Sequence, residues 1–292
     1  MKNSKRSSLA ALLSAAVIST LPACGGGGSS GGPIGGGDPQ QPATPPTAAP
    51  VPDPSPTPTP PQTFGATAKS CYETTPGVVG DRVAIELEFV GPISGTQIIT
   101  SKVVSKDAAF EGFTGLYQFD GTDLGSTTIN GQTVLSDSTS KLYARLNPDG
   151  LQEFIGTVVK LKDTTPSGGP KRIDTIKVVG NPPIADQSPN IVEGTSITFT
   201  RNTLNTFTLA DGTESPTTRL ASTVTTKYVG KEVVTVPAGI YLACKFESVQ
   251  SGSSDVSTSW IYRSTVIKGL ATTPSGTQIV QLRSASINGV PL

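Results

Sequence analysis

Three cysteines and a complete lack of histidine limit the chemistry open to this 292-residue chain. Without histidine, Ser-His-Asp and Cys-His catalysis, imidazole metal sites and histidine pH switches are excluded. Few zinc enzymes use ligand sets that lack histidine. The cysteines are Cys24, Cys71 and Cys244, and because they form no Cys-x-x-Cys arrangement, we expect no redox role for them.

Two short patterns match enzyme motifs but lack the context that those motifs need. Gly27–Gly31 fits Gly-x-Ser-x-Gly within a Gly/Ser run, and Ser138–Lys141 fits Ser-x-x-Lys without the supporting Ser-Asp-Asn and Lys-Thr-Gly elements. Asp-Gly-Thr turns offer oxygens to calcium but lack the Asp-x-Asp-x-Asp-Gly spacing. We therefore predict no catalytic residue, no metal ligand and no cofactor. The alternative is a histidine-free hydrolase that uses two carboxylates, whose separation only a structure gives.

Residues 1–23 have the composition of a secretory signal peptide. Lys2, Lys5 and Arg6 form a basic start, and the apolar run Leu9–Ile18 follows. This run is too short to span a bilayer, which needs about 20 apolar residues. Leu21-Pro22-Ala23-Cys24 comes next and resembles the lipobox of bacterial lipoproteins. The resemblance implies that Cys24 carries diacylglycerol, that the chain is cut before it, and that its new amino group is usually acylated.

Two residues beside Cys24 qualify this prediction. Pro22 stands where a small or β-branched residue is usual, so the alternative is an ordinary signal peptidase that cuts near Ala23 and releases a soluble protein. Gly25 rather than Asp follows the cysteine. By resemblance to lipoprotein sorting in enteric bacteria, this implies the outer membrane, with the domain facing the periplasm or the cell surface. The expected partner is the membrane, through the lipid anchor.

Residues 24–62 combine the lipidated cysteine with a spacer. Residues 25–37 are almost all Gly and Ser, and residues 38–62 are dominated by Pro, Thr and Ala. Such a segment buries too little apolar surface to offset its ordering entropy, so we predict a disordered tether. The Gly/Ser part should be a flexible coil, and the Pro-rich part should favour extended polyproline II.

Export to an oxidising compartment makes a disulfide the default for the two remaining cysteines, Cys71 and Cys244. Cys244 shares one face of its predicted strand with Leu242 and Phe246, so it should point inward. A bridge would join the entrance of the domain to its C-terminal hairpins. Two buried free thiols are the alternative.

Residues 63–292 read as one antiparallel β domain. Val83, Ile85, Leu87 and Phe89 alternate with more polar residues, a period typical of a half-buried strand. A dozen similar runs follow, separated by turn signals. The predicted fold is a curved sheet that closes into an incomplete barrel, with a β-sandwich as the alternative. Residues 163–190 are the one plausible boundary between two subdomains. The turn signals include Asp120–Asp123, Asn147–Gly150, Asp211–Glu214 and Pro237–Gly239.

The last 65 or so residues carry a second resemblance. A Pro-Ala-Gly turn at Pro237–Gly239, a Trp-x-Tyr strand at Trp260–Tyr262 and a final Gly-containing hairpin resemble uncharacterised bacterial envelope proteins of half-barrel type. The resemblance implies an incomplete barrel, broadly like envelope carriers, but without helices to cover it.

The net charge of the chain limits the classes of partner that it could bind. The chain holds 22 basic and 22 acidic residues without a basic run, which makes nucleic acid a poor partner. We expect a non-enzymatic, membrane-anchored binding or scaffold module whose ligand is an apolar molecule, an envelope polymer or an envelope partner protein.

Overall fold

The structure is a computed structural model that describes residues 66–73, 77–129, 131–162, 173–253, 255–273 and 276–292. Cys24, the predicted signal peptide and the predicted tether lie outside the described residues. Within the described part, the secondary structure is almost entirely β. Two short 3-10 turns, Ala68–Cys71 and Ser188–Asn190, are its helical segments, and no helix there is long and apolar enough to cross a bilayer.

Thirteen strands follow one another along the chain. They are β1 (Arg82–Val90), β2 (Ile93–Phe110), β3 (Phe113–Ile129), β4 (Gln132–Leu146), β5 (Gln152–Leu161), β6 (Ile173–Ala185), β7 (Ser196–Leu209), β8 (Thr218–Val236), β9 (Gly239–Gln250), β10 (Val256–Tyr262), β11 (Thr265–Thr273), β12 (Gly276–Ile287) and β13 (Val290–Pro291).

Each strand pairs antiparallel with the next, and β1 also pairs with β12. Val83 lies opposite Ile287 and Val90 opposite Ile279, so twelve strands close into a barrel. The short strand β13 pairs antiparallel with the end of β12. The prediction of an all-β antiparallel sheet that curves into a barrel is confirmed, and the β1–β12 pairing closes the barrel that was expected to be incomplete. Closure gives β1 and β12 a hydrogen-bonding partner on both sides, which removes the free edges that an open sheet would expose.

The turns at Asn147–Gly150, Asp211–Glu214 and Pro237–Gly239 join consecutive strands as predicted. The turn predicted at Asp120–Asp123 is wrong, because these residues lie inside β3. Gly121 is needed there for close packing instead of a turn. A Cβ atom at Gly121 would lie 2.7 Å from Ser140 Oγ and 3.1 Å from the Thr100 carbonyl oxygen.

One face of the strands builds an apolar core. Val83, Ile85 and Leu87 of β1 are at most 5% exposed, and Val103 and Phe119 pack in the same cluster. Alternation along β1 puts these residues on one face, and Glu86 and Glu88 on the other. The burial of such side chains is the main source of stability for the sheet.

The barrel has two ends, which the topology distinguishes. We call the end where β1 begins the tether end; because neighbours are antiparallel, the β6–β7 loop and the β8–β9 and β10–β11 turns lie there too. The β8–β9 hairpin folds back at this end, since the Ala238 N–H donates to the Leu282 carbonyl oxygen of β12 at 3.1 Å. The opposite end, with the β1–β2 and β3–β4 turns, is called the far end.

Candidate binding site inside the barrel

The register identifies which side chains share the inner face with the core. Val103 lies opposite Phe119, Phe119 opposite Leu142, and Leu142 opposite Thr157. The same row continues through Val178 to Asn205. Because directly opposed residues lie on the same face of a sheet, Asn205 belongs to the inner face although it is polar.

Away from the core, the inner face is lined by polar and small side chains on β3 and β4, whereas β5 to β7 add apolar ones such as Val159, Ile176 and Phe207. The serines of β4 alternate inward and lie opposite glycine or aspartate of β3. Eight strands give a barrel interior just wide enough for side chains to fill, and twelve give a wider one. Serine and glycine contribute little volume and make this part of the wall polar, so it suits water or a polar ligand better than an apolar one. The polar inner positions include Gln97, Asp123, Ser136, Ser138, Ser140, Asn205, Ser222, Ser248 and Ser257.

Asp123 is a partly buried carboxylate on this wall. Gln97 Nε2 donates to Asp123 Oδ2 at 2.6 Å, whereas Asp123 Oδ1 is buried without a hydrogen-bond partner. Burial raises the pKa of Asp123, and the hydrogen bond from Gln97 works in the opposite direction. The unpartnered oxygen leaves Asp123 able to accept a hydrogen bond from a ligand.

A second polar group surrounds Asp186, in the loop between β6 and β7, and we call it the Asp186 cluster. It comprises Tyr72, Gln152, Asp186, Ser188 and Arg201. The Asp186 N–H donates to the Gln152 carbonyl oxygen at 2.9 Å, and Asp186 Oδ1 accepts from the Ser188 N–H at 3.0 Å. The Asp186 charge acts on both Tyr72 and Arg201, which ties the cluster together electrostatically.

Burial dominates the electrostatics of the Asp186 cluster. It raises the pKa of Tyr72 well above 10.0, the Asp186 charge raises it further, and the hydrogen bond with the Ser188 side chain lowers it. Burial also lowers the pKa of Arg201, against the opposite effect of Asp186. The Arg201 guanidinium lies 4.9 Å from the Phe199 ring centre. Arg201 Nε and Gln152 Nε2 are both buried without a partner, so each can donate to a ligand.

The N-terminal segment places Tyr72 in this cluster. Cys71 and Cys244 form a disulfide with their Cα atoms 6.0 Å apart, which confirms the predicted pairing, and Cys244 is fully buried. Two backbone hydrogen bonds also hold the N-terminal segment. The Ala68 N–H donates to the Ile191 carbonyl oxygen at 3.0 Å, and the Ser264 N–H donates to the Cys71 carbonyl oxygen at 2.8 Å.

The side chains next to the disulfide fix the segment further. Glu73 pairs with Arg263 at 2.6 Å, and the Tyr72 ring meets the Phe246 ring edge-on with the centroids 6.2 Å apart. The segment is therefore held at the tether end by the β6–β7 loop, by β9 and by the β10–β11 turn.

The alternation of β-strands separates the residues of the two rejected motifs. Ser138 and Lys141 lie three positions apart in β4, so their side chains point to opposite faces and cannot act as a pair. Asp120 and Asp123 are separated in the same way in β3 and cannot share an ion. Within the described residues, no group of three or more Cys, Asp or Glu side chains is placed to hold a metal.

Sequence reasoning did not find the Asp186 cluster. Its members come from the N-terminal segment, β5, the β6–β7 loop and β7, which are distant in the sequence and meet through strand pairing. One signal was present in the sequence: Arg201 continues the apolar alternation of Ile197 and Phe199. A charge on the apolar face of a strand points to a buried site.

No protein-family model, curated protein or solved structure matches this chain.

Proposed function

We propose that this protein is a non-enzymatic, lipid-anchored binding module of the bacterial outer membrane that holds a small polar ligand inside its barrel. Four unpartnered buried atoms on the inner face support the proposal: Asp123 Oδ1, Gln152 Nε2, Arg201 Nε and Asn205 Oδ1. A buried polar atom that lacks a hydrogen bond costs about 1–3 kcal/mol, so native proteins rarely keep several of them.

The four atoms indicate the chemistry of the ligand. Arg201 and Gln152 offer donors, and Asp123 and Asn205 offer acceptors, so the ligand carries both kinds of group. An apolar molecule would leave all four unsatisfied. The apolar residues of the inner face, such as Val103 and Phe119, already pack on one another. A polar ligand is therefore favoured over the apolar molecule that was one of the expectations from the sequence.

The N-terminal sequence supports the membrane part of the proposal. The signal peptide and the lipobox-like Leu21–Cys24 favour a lipid anchor, and the Gly/Ser/Pro-rich tether would let the domain move away from the bilayer. A histidine-free hydrolase would need two neighbouring carboxyl groups. Asp123 is hydrogen-bonded to an amide, that of Gln97, so the observations favour binding over hydrolysis.

Native mass spectrometry of the full chain tests the proposal. The Cys24→Ser form should be purified from the periplasm without detergent and compared under native and denaturing conditions. We expect an additional small mass that denaturation removes and that Arg201→Gln or Asn205→Ala reduces. Thr200→Ala, which changes an exposed threonine of the same strand, is the control. A native mass equal to that of the bare chain, or a bound fatty acid that Arg201→Gln leaves in place, contradicts the proposal.

A further inference from the structure

A pair of like charges faces outward on β1 and β2. Arg82 lies directly opposite Lys102, and both alternate with inner residues, Val83 and Ser101. Like charges at directly opposed positions destabilise a sheet. A sequence that keeps them at such positions gives up stability there, which suggests that something negative is bound between them.

Among the described residues that line the groove beside the pair, one carboxylate, that of Asp120, opposes the charge of the pair. Asp120 lies opposite Lys102 on β3, yet neither Lys102 nor Arg82 forms an ion pair within the part of the chain that the structure describes. Asp120 Oδ1 instead accepts a hydrogen bond from Gln118 Nε2 at 2.6 Å. The two cations therefore remain available to an external anion.

The two cations border a groove of about 390 Å³. Its floor is made by small residues, because Ala84 lies between Ser286 of β12 and Thr100 of β2 in the next row of the sheet. The long side chains of Arg82 and Lys102 form one wall, and the hydroxyls of Thr100 and Ser286 line the groove beside them. Two cations, one carboxylate (Asp120) and hydroxyl groups thus line the same concave surface, so its charge is positive on balance.

We propose that this groove, on the outer surface of the barrel, binds the phosphate group of a phosphomonoester. A guanidinium and an ammonium bind phosphate through charge-assisted hydrogen bonds, to which hydroxyls add neutral ones. A phosphate offers three terminal oxygens, enough to reach both cations and a hydroxyl together, whereas a carboxylate offers two. The groove exceeds the size of a phosphate ion, so it has room for part of the molecule that carries the phosphate. This site is separate from the barrel interior.

Titration calorimetry with the full-length Cys24→Ser chain tests this proposal. Inorganic phosphate and glycerol 3-phosphate are the soluble probes, and phosphatidylcholine vesicles with and without phosphatidic acid test a lipid source. We expect binding that weakens with added salt and that falls about tenfold or more in Arg82→Gln/Lys102→Gln. Lys231→Gln, an exposed lysine of β8, is the matched control and should bind as the parent does.

The outcomes separate the possibilities. Binding of the soluble probes would show that the groove accepts free phosphate esters. Binding of phosphatidic acid vesicles alone would show that it recognises a lipid headgroup. Because the double substitution removes a like-charge contact, its melting temperature should equal or exceed that of the parent, so lost binding would not reflect unfolding. The proposal is overturned if no probe binds, or if Lys231→Gln weakens binding as much as the double substitution does.

Discussion

Cys71 is bonded to Cys244, which lies 173 residues later in the chain, and this bond holds the following residue, Tyr72, against Phe246 inside the barrel. The covalent link thus does more than close a loop. It fixes the described segment that precedes β1 to the wall of the barrel at β9.

Removal of the disulfide should destabilise the domain. Cys71→Ser/Cys244→Ser is expected to lose about 2–4 kcal/mol of unfolding free energy, because the unfolded chain regains the freedom that the long closed loop denies it. Denaturant unfolding, followed by circular dichroism, measures the loss. The parent protein in reductant should unfold at the same midpoint as the double variant. An unchanged midpoint in both would mean that the bond contributes no stability.

The stability of the domain should fall at alkaline pH because of Tyr72. Burial holds its pKa well above 10.0 in the folded chain, whereas the unfolded chain ionises near 10.0. The folded state therefore keeps the proton more tightly, so its contribution to stability is complete below pH 10 and is lost as pH rises towards the folded pKa. Tyr72→Phe should flatten this decline. Unfolding midpoints between pH 8 and 11.5 test it, and equal slopes in parent and Tyr72→Phe would refute it.

Features that are marked by neighbouring residues could be predicted from the sequence. Features that depend on residues far apart in the sequence could not. Alternation along β1 is local, so Val83, Ile85 and Leu87 identify their strand without help from the fold. The disulfide followed from the two cysteines that remain once the chain is predicted to be exported. Tyr72 and Arg201 carry no such local mark of their interaction with Asp186, because strand pairing and the Cys71–Cys244 bond bring their segments together.

The outward pair Arg82 and Lys102 was hidden for a similar reason. The two residues are 20 positions apart, and neither belongs to a basic run in the sequence, so the groove exists only through the β1–β2 register. The turn predicted at Asp120–Asp123 was wrong for the opposite reason, because a local signal was present but misleading. The composition of this stretch is typical of a turn, yet packing against Ser140 decided its conformation as strand.

Asp123→Asn should stabilise the domain at neutral pH. Because burial raises the pKa of this carboxyl group, the folded state favours the protonated form, and the charged form costs stability above the unfolded pKa. An amide removes that cost and can still accept the hydrogen bond from Gln97. The gain in unfolding free energy should be present at pH 7 and vanish near pH 3. Asp149→Asn, at an exposed turn, is the control, and a loss of stability in Asp123→Asn at pH 7 would contradict this account.

The anchor prediction rests on Cys24. Cells that produce the parent protein and are fed labelled palmitate should label it, and Cys24→Ser should abolish the label and release the protein from the membrane fraction. Cys71→Ser is the matched control, since it removes a different cysteine and should keep the label. If Cys24→Ser still sediments with membranes as the parent does, the protein is held there by something other than a lipid on this residue.

The close contact between Gly121 and Ser140 allows a test of the packing of β3 and β4. Gly121→Ala would place a Cβ atom 2.7 Å from Ser140 Oγ, which is closer than real contacts of this kind. We expect a loss of about 1–3 kcal/mol of unfolding free energy, the usual cost of overpacking. Ser140→Ala removes the obstructing oxygen, so the double variant should recover much of the loss, a coupling that only neighbouring residues show.

Gly150→Ala cannot serve as a control, because its φ of +76° would strain any side chain. Gly269→Ala is suitable, since its added atom would meet nothing nearer than 3.9 Å. If Gly121→Ala costs no more than Gly269→Ala, or if Ser140→Ala fails to rescue it, the two strands do not pack as closely as the contact implies.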